Sequence, residues 1–266
     1  MNNQLLYLLI IFLIIFIYFN YQTEKFTDDN LNKNDINVYV INLVKNKQRL
    51  NNFKYQYNNS DMISIPYTVY PAIVGKELDL KKYVTPKAYN QIIMTEKTNV
   101  RKYHYELTRG AVGCYLSHLN IYKEIAKSDK KYGLIFEDDV MIANDFYIRL
   151  NKGLKTVPKD WDMYLLGVMC LKCDIKKEYV NINRFWGMHG YMIKKESAVK
   201  LVKLLSGLIS KQIDSKLSLL IKYNKLKIYS INPIIVAQGD LGTDIQVPVV
   251  NDIDEFSEEF SNKIEN

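Results

Sequence analysis

The sequence has few of the features that mark zinc-binding and nucleic-acid-binding proteins. It has only three cysteines in 266 residues, and no second Cys-x-x-Cys or paired histidine follows Cys170 and Cys173 at zinc-ligand spacing. These two thiols therefore indicate a local disulfide or two free thiols, and Cys114 is interpreted as a small buried hydrophobic residue. The net charge is +7, but the lysines are scattered and form no basic stripe interleaved with aromatic residues. We therefore expect no nucleic-acid partner.

The only long apolar run stands near the N-terminus. Residues 5–19 are almost entirely apolar, and with their flanks they approach the roughly 20 residues needed to span a bilayer. No small-residue cleavage site follows, so we predict a retained transmembrane signal anchor over residues 1–21 and a polar stem over 22–35. No basic side chain precedes the span and the stem begins with net negative charge, which favours a single-pass membrane protein with its C-terminal part on the lumenal side.

The rest of the chain has the length and composition of one α/β domain. With 48% hydrophobic and 24% charged residues, about 230 residues suit a single core and leave no room for a second full domain. We place this domain at residues 36–250 and an acidic tail at 251–266. Periodicity predicts a first strand over 36–43 and irregular loops over 66–101. It predicts helices over residues 45–57, 144–154, 196–205 and 212–220.

Three consecutive carboxylates, Glu137, Asp138 and Asp139, end an apolar run that predicts a fully buried strand. Burying unpaired carboxylates costs several kcal/mol. We therefore expect them at the carboxyl end of the strand, where open α/β sheets bind ligands. Strand alternation places Glu137 and Asp139 on one face, an acidic pair suited to a divalent metal ion. The alternative is that Asp138 or Asp139 caps a helix near residues 142–150.

Four motifs follow one another along the chain, at residues 38–43, 107–118, 137–140 and 187–193. In order and spacing they resemble the glycosyltransferase family 25 enzymes, which include lipooligosaccharide and collagen galactosyltransferases. The resemblance extends over roughly residues 36–245. It implies a single GT-A-like (Rossmann-like) nucleotide-sugar-binding domain of the α/β class, with a mixed central sheet, after the N-terminal transmembrane helix. The implied reaction is metal-dependent, inverting transfer of a hexose, galactose or glucose, from a UDP-sugar to a hydroxyl of a glycan or hydroxylysyl peptide.

The resemblance also implies roles for individual residues. Asp214 and Asp138 are the candidate catalytic residues, with Asp214 as general base. The candidate donor-binding residues are Asn42, Arg49, Ser117, His118, Asp138, His189, Gly190 and Gln238. The candidate ligands of Mn²⁺ or another divalent cation are Glu137, Asp139 and Asp244. Three of these assignments have a structural alternative: Arg49 on a solvated helix face, His118 in helix packing, and Asp214 as a helix cap.

Two positions depart from the family pattern. Val44 and Ala111 stand where family members usually carry acidic residues. Ala111 supports an alternative interpretation, a catalytically inactive, membrane-tethered binding or adhesion protein with the transferase fold. The retained acidic cluster favours the enzyme. A third interpretation, a metal-dependent phosphohydrolase, predicts phosphate release without a glycosyl product.

Overall fold

A computed structural model describes residues 31–239, 242 and 247–250. The predicted anchor over residues 1–21, the acidic tail and Asp244 lie outside the described residues, and those predictions stay predictions. Within the described ranges, no helix has both the length and the apolar character needed to cross a membrane. The chain divides into two units, Met1–Asn32 and Lys33–Asn266, and every element named below belongs to the second.

The described residues form eight strands and six α-helices, in an α/β arrangement. The strands are β1 (Ile36–Asn42), β2 (Tyr67–Pro71), β3 (Tyr132–Glu137), β4 (Val140–Ile142), β5 (Met163–Ile175), β6 (Tyr179–Lys194), β7 (Ile228–Ile231) and β8 (Val236–Gln238). The helices are α1 (Lys47–Asn58), α2 (Pro86–Thr98), α3 (Arg109–Lys127), α4 (Phe146–Thr156), α5 (Lys195–Leu205) and α6 (Ile213–Lys222).

Six strands form a mixed central sheet in the order β2-β1-β3-β6-β5-β7. Strand β1 pairs in parallel with β2 and β3, whereas β6 runs antiparallel to β3 and β5. The carboxyl ends of β1 and β3 therefore meet at one edge, where the chain carries Asn42 and Glu137. Strands β4 and β8 form a separate antiparallel pair in which Val140 faces Gln238. The predicted α/β class and mixed central sheet are confirmed.

Helix α2 corrects the expectation of irregular loops over residues 66–101. Thr85 accepts a hydrogen bond from the Ala88 backbone N–H at 3.3 Å, and Pro86 occupies the first helical turn, where its missing N–H costs nothing. The helix ends at Thr98, and its C-cap residue Asn99 has a left-handed φ of 54°. Strand β2 also lies in this region. The local capping signals at Thr85 and Pro86 are present in the sequence, but the weak apolar periodicity concealed the helix.

The structure decides between two pairs of alternatives that the sequence left open. Helix α4 begins after Asp145, its N-cap residue, so neither Asp138 nor Asp139 caps it and the capping alternative for the acidic cluster is wrong. Cys170 and Cys173 form a disulfide within the exposed half of β5, which is one of the two states predicted for this pair.

Candidate active site

A cavity of about 690 Å³ opens at the carboxyl ends of β1 and β3, where ligands bind in open α/β sheets. Its walls also include the first residues of α3 and α6, the 3-10 turn at Gly75–Glu77, and residues 186–188 of β6. The predicted site residues that line the cavity are Arg49, His118, Glu137, Asp138, Asp139, Asp214 and Gln238. Residues from distant parts of the chain thus meet at one cleft.

Arg49, from the first turn of α1, joins two of the carboxylates. Its Nη2 atom lies 2.6 Å from Asp138 Oδ1 and 2.9 Å from Asp139 Oδ2. The Asn42 amide donates to Asp138 Oδ2 at 2.5 Å, and the Gln238 amide donates to Asp139 Oδ2 at 3.1 Å. Strand β3 ends at Glu137, so the alternation predicted for the three acids does not continue beyond that residue. Asp138 and Asp139 instead both contact the Arg49 guanidinium.

The two aspartates are buried, with 4% and 2% of Asp138 and Asp139 exposed. Burial raises the pKa of Asp139 to about 6, with a further increase from the Glu137 charge that Arg49 and Gln238 only partly offset. Burial also raises the pKa of Asp138, against the lowering effect of Arg49 and Asn42. One buried oxygen, Asp139 Oδ1, has no hydrogen-bond partner within the described part of the chain. The cluster therefore has excess negative charge that a bound cation would offset.

Glu137 contacts a different set of side chains. Its Oε1 atom lies 3.3 Å from His118 Nε2, and His118 Nδ1 lies 2.6 Å from the hydroxyl of Tyr191. That hydroxyl lies 2.9 Å from the hydroxyl of Tyr122. Burial acts to raise the pKa of Glu137, but the hydrogen bond and charge interaction with His118, together with His189 and Arg49, outweigh it and hold the pKa below its ordinary value. Glu137 is therefore the more readily ionised member of the acidic pair.

Asp214 lies in the first turn of α6 and is 8% exposed. Its Oδ2 accepts from the Gly187 backbone N–H at 3.3 Å and its Oδ1 from the Ser215 N–H at 2.6 Å. The N-cap position belongs to Gln212, so Asp214 is not the cap. Burial raises the pKa of Asp214, although these backbone hydrogen bonds act to lower it. A buried carboxylate that faces a cavity is a suitable proton acceptor.

The family model described as glycosyltransferase family 25 (LPS biosynthesis protein) matches residues 35–217, which include the acidic cluster, the His118 helix and Asp214. The chain belongs to glycosyltransferase family 25. The Procollagen galactosyltransferase 1-A of Xenopus laevis is 30% identical to it over 176 residues, which are 62% of this chain and 28% of that protein. The Glycosyltransferase 25 family member of Aedes aegypti is 26% identical over 176 residues, with the same two shares of 62% and 28%.

Another relative of this family 25 chain is the human Inactive glycosyltransferase 25 family member 3, which is 39% identical over 64 residues, 23% of this chain and 11% of that protein. The chain thus spans less than a third of the length of these relatives. Among solved structures, the A197 protein from STIV has 14% identity and a TM-score of 0.41 over 82% of this chain and 95% of that one. At such a TM-score the likeness does not inform on function.

Four of the donor-binding predictions fall on residues that are not part of the cavity wall. The Asn42 side chain does not line the cavity but orients Asp138 by donating a hydrogen bond to its Oδ2 atom. A side chain at Gly190 would collide with Val236, so this glycine allows β8 to pack on β6, and its donor-binding role stays a prediction. His189 is packed between Gly167 and Gly187, its Nδ1 atom has no hydrogen-bond partner among the residues described, and burial lowers its pKa.

Ser117, the fourth of these residues, connects two segments of the cavity wall, the start of α3 and the turn at residues 73–75. Its hydroxyl donates to the Gly113 carbonyl at 2.7 Å and accepts from the Ile73 N–H at 2.9 Å. A Cβ atom at Gly113 would collide with the Ile73 carbonyl, and one at Gly75 with that of Arg109. Gly75 and Gly113 therefore let the turn at residues 73–75 lie directly against the start of α3.

Several residues of the cavity were not expected from the sequence. They include Arg109, which forms an ion pair with Glu96 at 2.5 Å, and Trp186, which stacks on His104 with ring centroids 3.7 Å apart. Cys114 was interpreted only as a packing residue, yet it also lines the cavity. Arg109 and Cys114 lie within the motif at residues 107–118, which was the available signal for them, whereas no local pattern marks Trp186.

Proposed function

We propose that this family 25 chain transfers a hexose, galactose or glucose, from a UDP-sugar to a hydroxyl of a glycan or hydroxylysyl peptide. The observation that carries the proposal is the placement of the acidic cluster and Asp214 on one cavity at the carboxyl ends of β1 and β3. A nucleotide-sugar diphosphate needs positive charge beside it, and the acceptor hydroxyl needs a base. The cavity suits both needs, because Arg49 supplies positive charge, a cation held by the acidic pair would add to it, and Asp214 is the candidate base.

The acidic pair fits a divalent cation. Glu137 and Asp139 present carboxylate oxygens, which hard cations such as Mn²⁺ prefer, and Asp139 Oδ1 is buried with no other partner among the described residues. These two residues would hold the ion, with Asp244 as the third predicted ligand. When bound, the cation supplies charge that stabilises the departing diphosphate.

The protein's own groups account for the remaining steps. Arg49 is held at the cavity by Asp138 and Asp139, where its charge faces the donor phosphates. Asp138 has both oxygens engaged, by Arg49 and Asn42, so its part in catalysis is to position Arg49. The acceptor oxygen forms a bond to the anomeric carbon as the bond to the diphosphate oxygen breaks. Asp214 takes the acceptor proton, and UDP leaves with the bonding electrons. Attack from the face opposite the leaving group inverts the anomeric centre.

The test measures UDP release by the full-length chain with Mn²⁺ and a panel of UDP-sugars, with and without glycan or hydroxylysyl-peptide acceptors. We expect Mn²⁺-dependent release from one donor, at least a hundredfold lower in Asp139→Asn. Asp129→Asn is the matched control, because Asp129 is exposed and its contact is a 3.9 Å pair with Lys130. Absence of release from every donor would contradict the proposal and favour an inactive, membrane-tethered binding protein.

We further propose that residues 1–21 anchor the protein in a membrane with the catalytic domain on the lumenal side. The support is the apolar run at residues 5–19. The expected result is that the full-length chain stays in the membrane pellet after alkaline extraction and that the domain is protected from added protease. Release into the supernatant would contradict the anchor.

A further inference from the structure

We propose that Cys114, His118 and Glu137 form a binding site for a thiophilic divalent metal such as Zn²⁺, distinct in its ligand chemistry from the acidic pair. The ligand atoms of the three side chains all lie within 4.8 Å of one another. All three residues line the cavity, so an ion has a path from solvent to the site.

The local structure accounts for this convergence. Cys114 and His118 are four residues apart on α3, so their side chains project from the same face, one turn apart. Glu137, at the end of β3, approaches that face from the sheet. Zinc binds sulfur at about 2.3 Å and nitrogen or oxygen at about 2.0–2.2 Å, so tetrahedral ligand atoms lie about 3.5 Å apart. The separation of His118 Nε2 and Glu137 Oε1 is already 3.3 Å.

The hydrogen bonds behind His118 suit a metal ligand. Without metal, His118 Nε2 lies 3.3 Å from Glu137 Oε1 and Nδ1 lies 2.6 Å from the Tyr191 hydroxyl, so both ring nitrogens have a partner. With a metal on Nε2, the ring would carry its proton on Nδ1 and donate it to the Tyr191 hydroxyl, which lies 2.9 Å from the Tyr122 hydroxyl. The metal thus takes the place of the proton between His118 and Glu137, and no side chain has to move to satisfy the second ring nitrogen.

The ligand set selects the metal class. A thiolate and an imidazole prefer Zn²⁺ or Co²⁺, whereas carboxylates alone suit Mn²⁺. The thiol proton is released to solvent when the metal binds. Three protein ligands leave a fourth position toward the cavity for water. If Glu137 also binds Mn²⁺, as the proposed function requires, Zn²⁺ at this site withdraws one ligand from the Mn²⁺ pair and inhibits transfer; this consequence alone depends on the proposed function.

The test titrates the full-length chain with Co²⁺ alone and records the thiolate-to-cobalt charge-transfer absorption, which requires no substrate and no activity. We expect one Co²⁺ per chain with this band, and its loss when Zn²⁺ is added. Cys114→Ser and His118→Gln should abolish the band, whereas the Cys170→Ser/Cys173→Ser double variant should retain it. Tyr191→Phe, which removes the hydroxyl partner of His118, should weaken binding about tenfold or more.

Circular dichroism shows first that each variant is folded, and His118→Gln serves as the decisive variant if Cys114→Ser does not fold. A wild-type protein without the band, a band that survives loss of Cys114 or His118, or a band that depends on Cys170 and Cys173 would each overturn the inference. Because the readout is metal absorption, an inactive transferase with an intact band would contradict only the proposed function.

Discussion

Arg49 Nη2 lies 2.6 Å from Asp138 Oδ1, and this ion pair joins the first turn of α1 to the end of β3. Only 16% of the Arg49 side chain and 5% of the Asp138 side chain are exposed. A pair so shielded from water behaves unlike a surface salt bridge, because removing one partner leaves a buried charge without compensation. Arg49 therefore has a structural role in addition to the donor-binding role proposed for it.

Arg49→Ala should lower the free energy of unfolding by about 3 kcal/mol, because Asp138 and Asp139 lose their shared cation. Urea denaturation measures the change. Lys54→Ala, an exposed cation on the same helix, is the control and should change stability by no more than about 0.5 kcal/mol. Adding Asp139→Asn to Arg49→Ala should recover part of the loss; an additive double variant would contradict the coupling.

Asp139 should make the stability of the chelator-treated protein fall as the pH rises from about 4 to about 6. Its pKa is about 6 in the folded protein against about 4 in an unfolded chain. In this window the folded state retains a proton that the unfolded state has lost, so unfolding becomes easier with increasing pH. A shift of two pKa units corresponds to about 3 kcal/mol at most. Asp139→Asn should flatten this part of the stability profile, and parallel profiles for the two proteins would contradict the assignment.

Asp214→Asn should lower kcat for transfer about 10²- to 10⁴-fold, the range attributed to a general base. The Asn carboxamide oxygen still accepts a hydrogen bond from the backbone, so the fold and the KM for the donor should be nearly unchanged. Steady-state UDP release with acceptor present measures both constants. Asp162→Asn is the matched control, because Asp162 is also buried but pairs with Lys200 away from the cavity. An equal loss of kcat in both variants would indicate a structural effect.

Ser117→Ala should destabilise the fold by about 1–3 kcal/mol without changing the KM for the donor. The hydroxyl satisfies the Ile73 N–H at 2.9 Å, and its removal leaves that donor unpaired at the cavity wall. Thermal unfolding measures the stability, and donor saturation curves measure KM. Ser206→Ala, at an exposed hydroxyl that donates to the Val202 carbonyl, is the control. An increase in KM at unchanged stability would instead support the donor-binding role predicted from the sequence.

Local patterns allowed much of the fold to be predicted. The apolar run before Glu137 and the alternation in β1 correspond to observed strands, because strands with buried faces require a period of two or a continuous apolar stretch. Helix α2 was missed, because only Ala88, Ile92 and Thr95 are buried along it and its apolar face is therefore weakly marked. Short capping signals carried the information that hydrophobic periodicity lacked.

Residue type identified some parts of the site, whereas others depended on tertiary packing. Residue type alone identified the acidic cluster, since three adjacent carboxylates after an apolar strand have no stabilising role in a core. Residue type did not distinguish Asp214, which faces the cavity, from Gly190, which packs on Val236. That difference depends on how β8 and α6 pack against β6, and no pattern within any one segment encodes it.

By itself, the sequence determined the α/β class, the position of the acidic cluster at a strand end and the four motifs of the family, because each follows from the order of residues within a short segment. Only the tertiary structure decided that Arg49 joins Asp138 to Asp139, that Ser117 supports the cavity wall, and that Cys114 and His118 meet Glu137. These are contacts between residues distant in sequence, and they exist only where packing of the helices on the sheet brings the side chains within reach of one another.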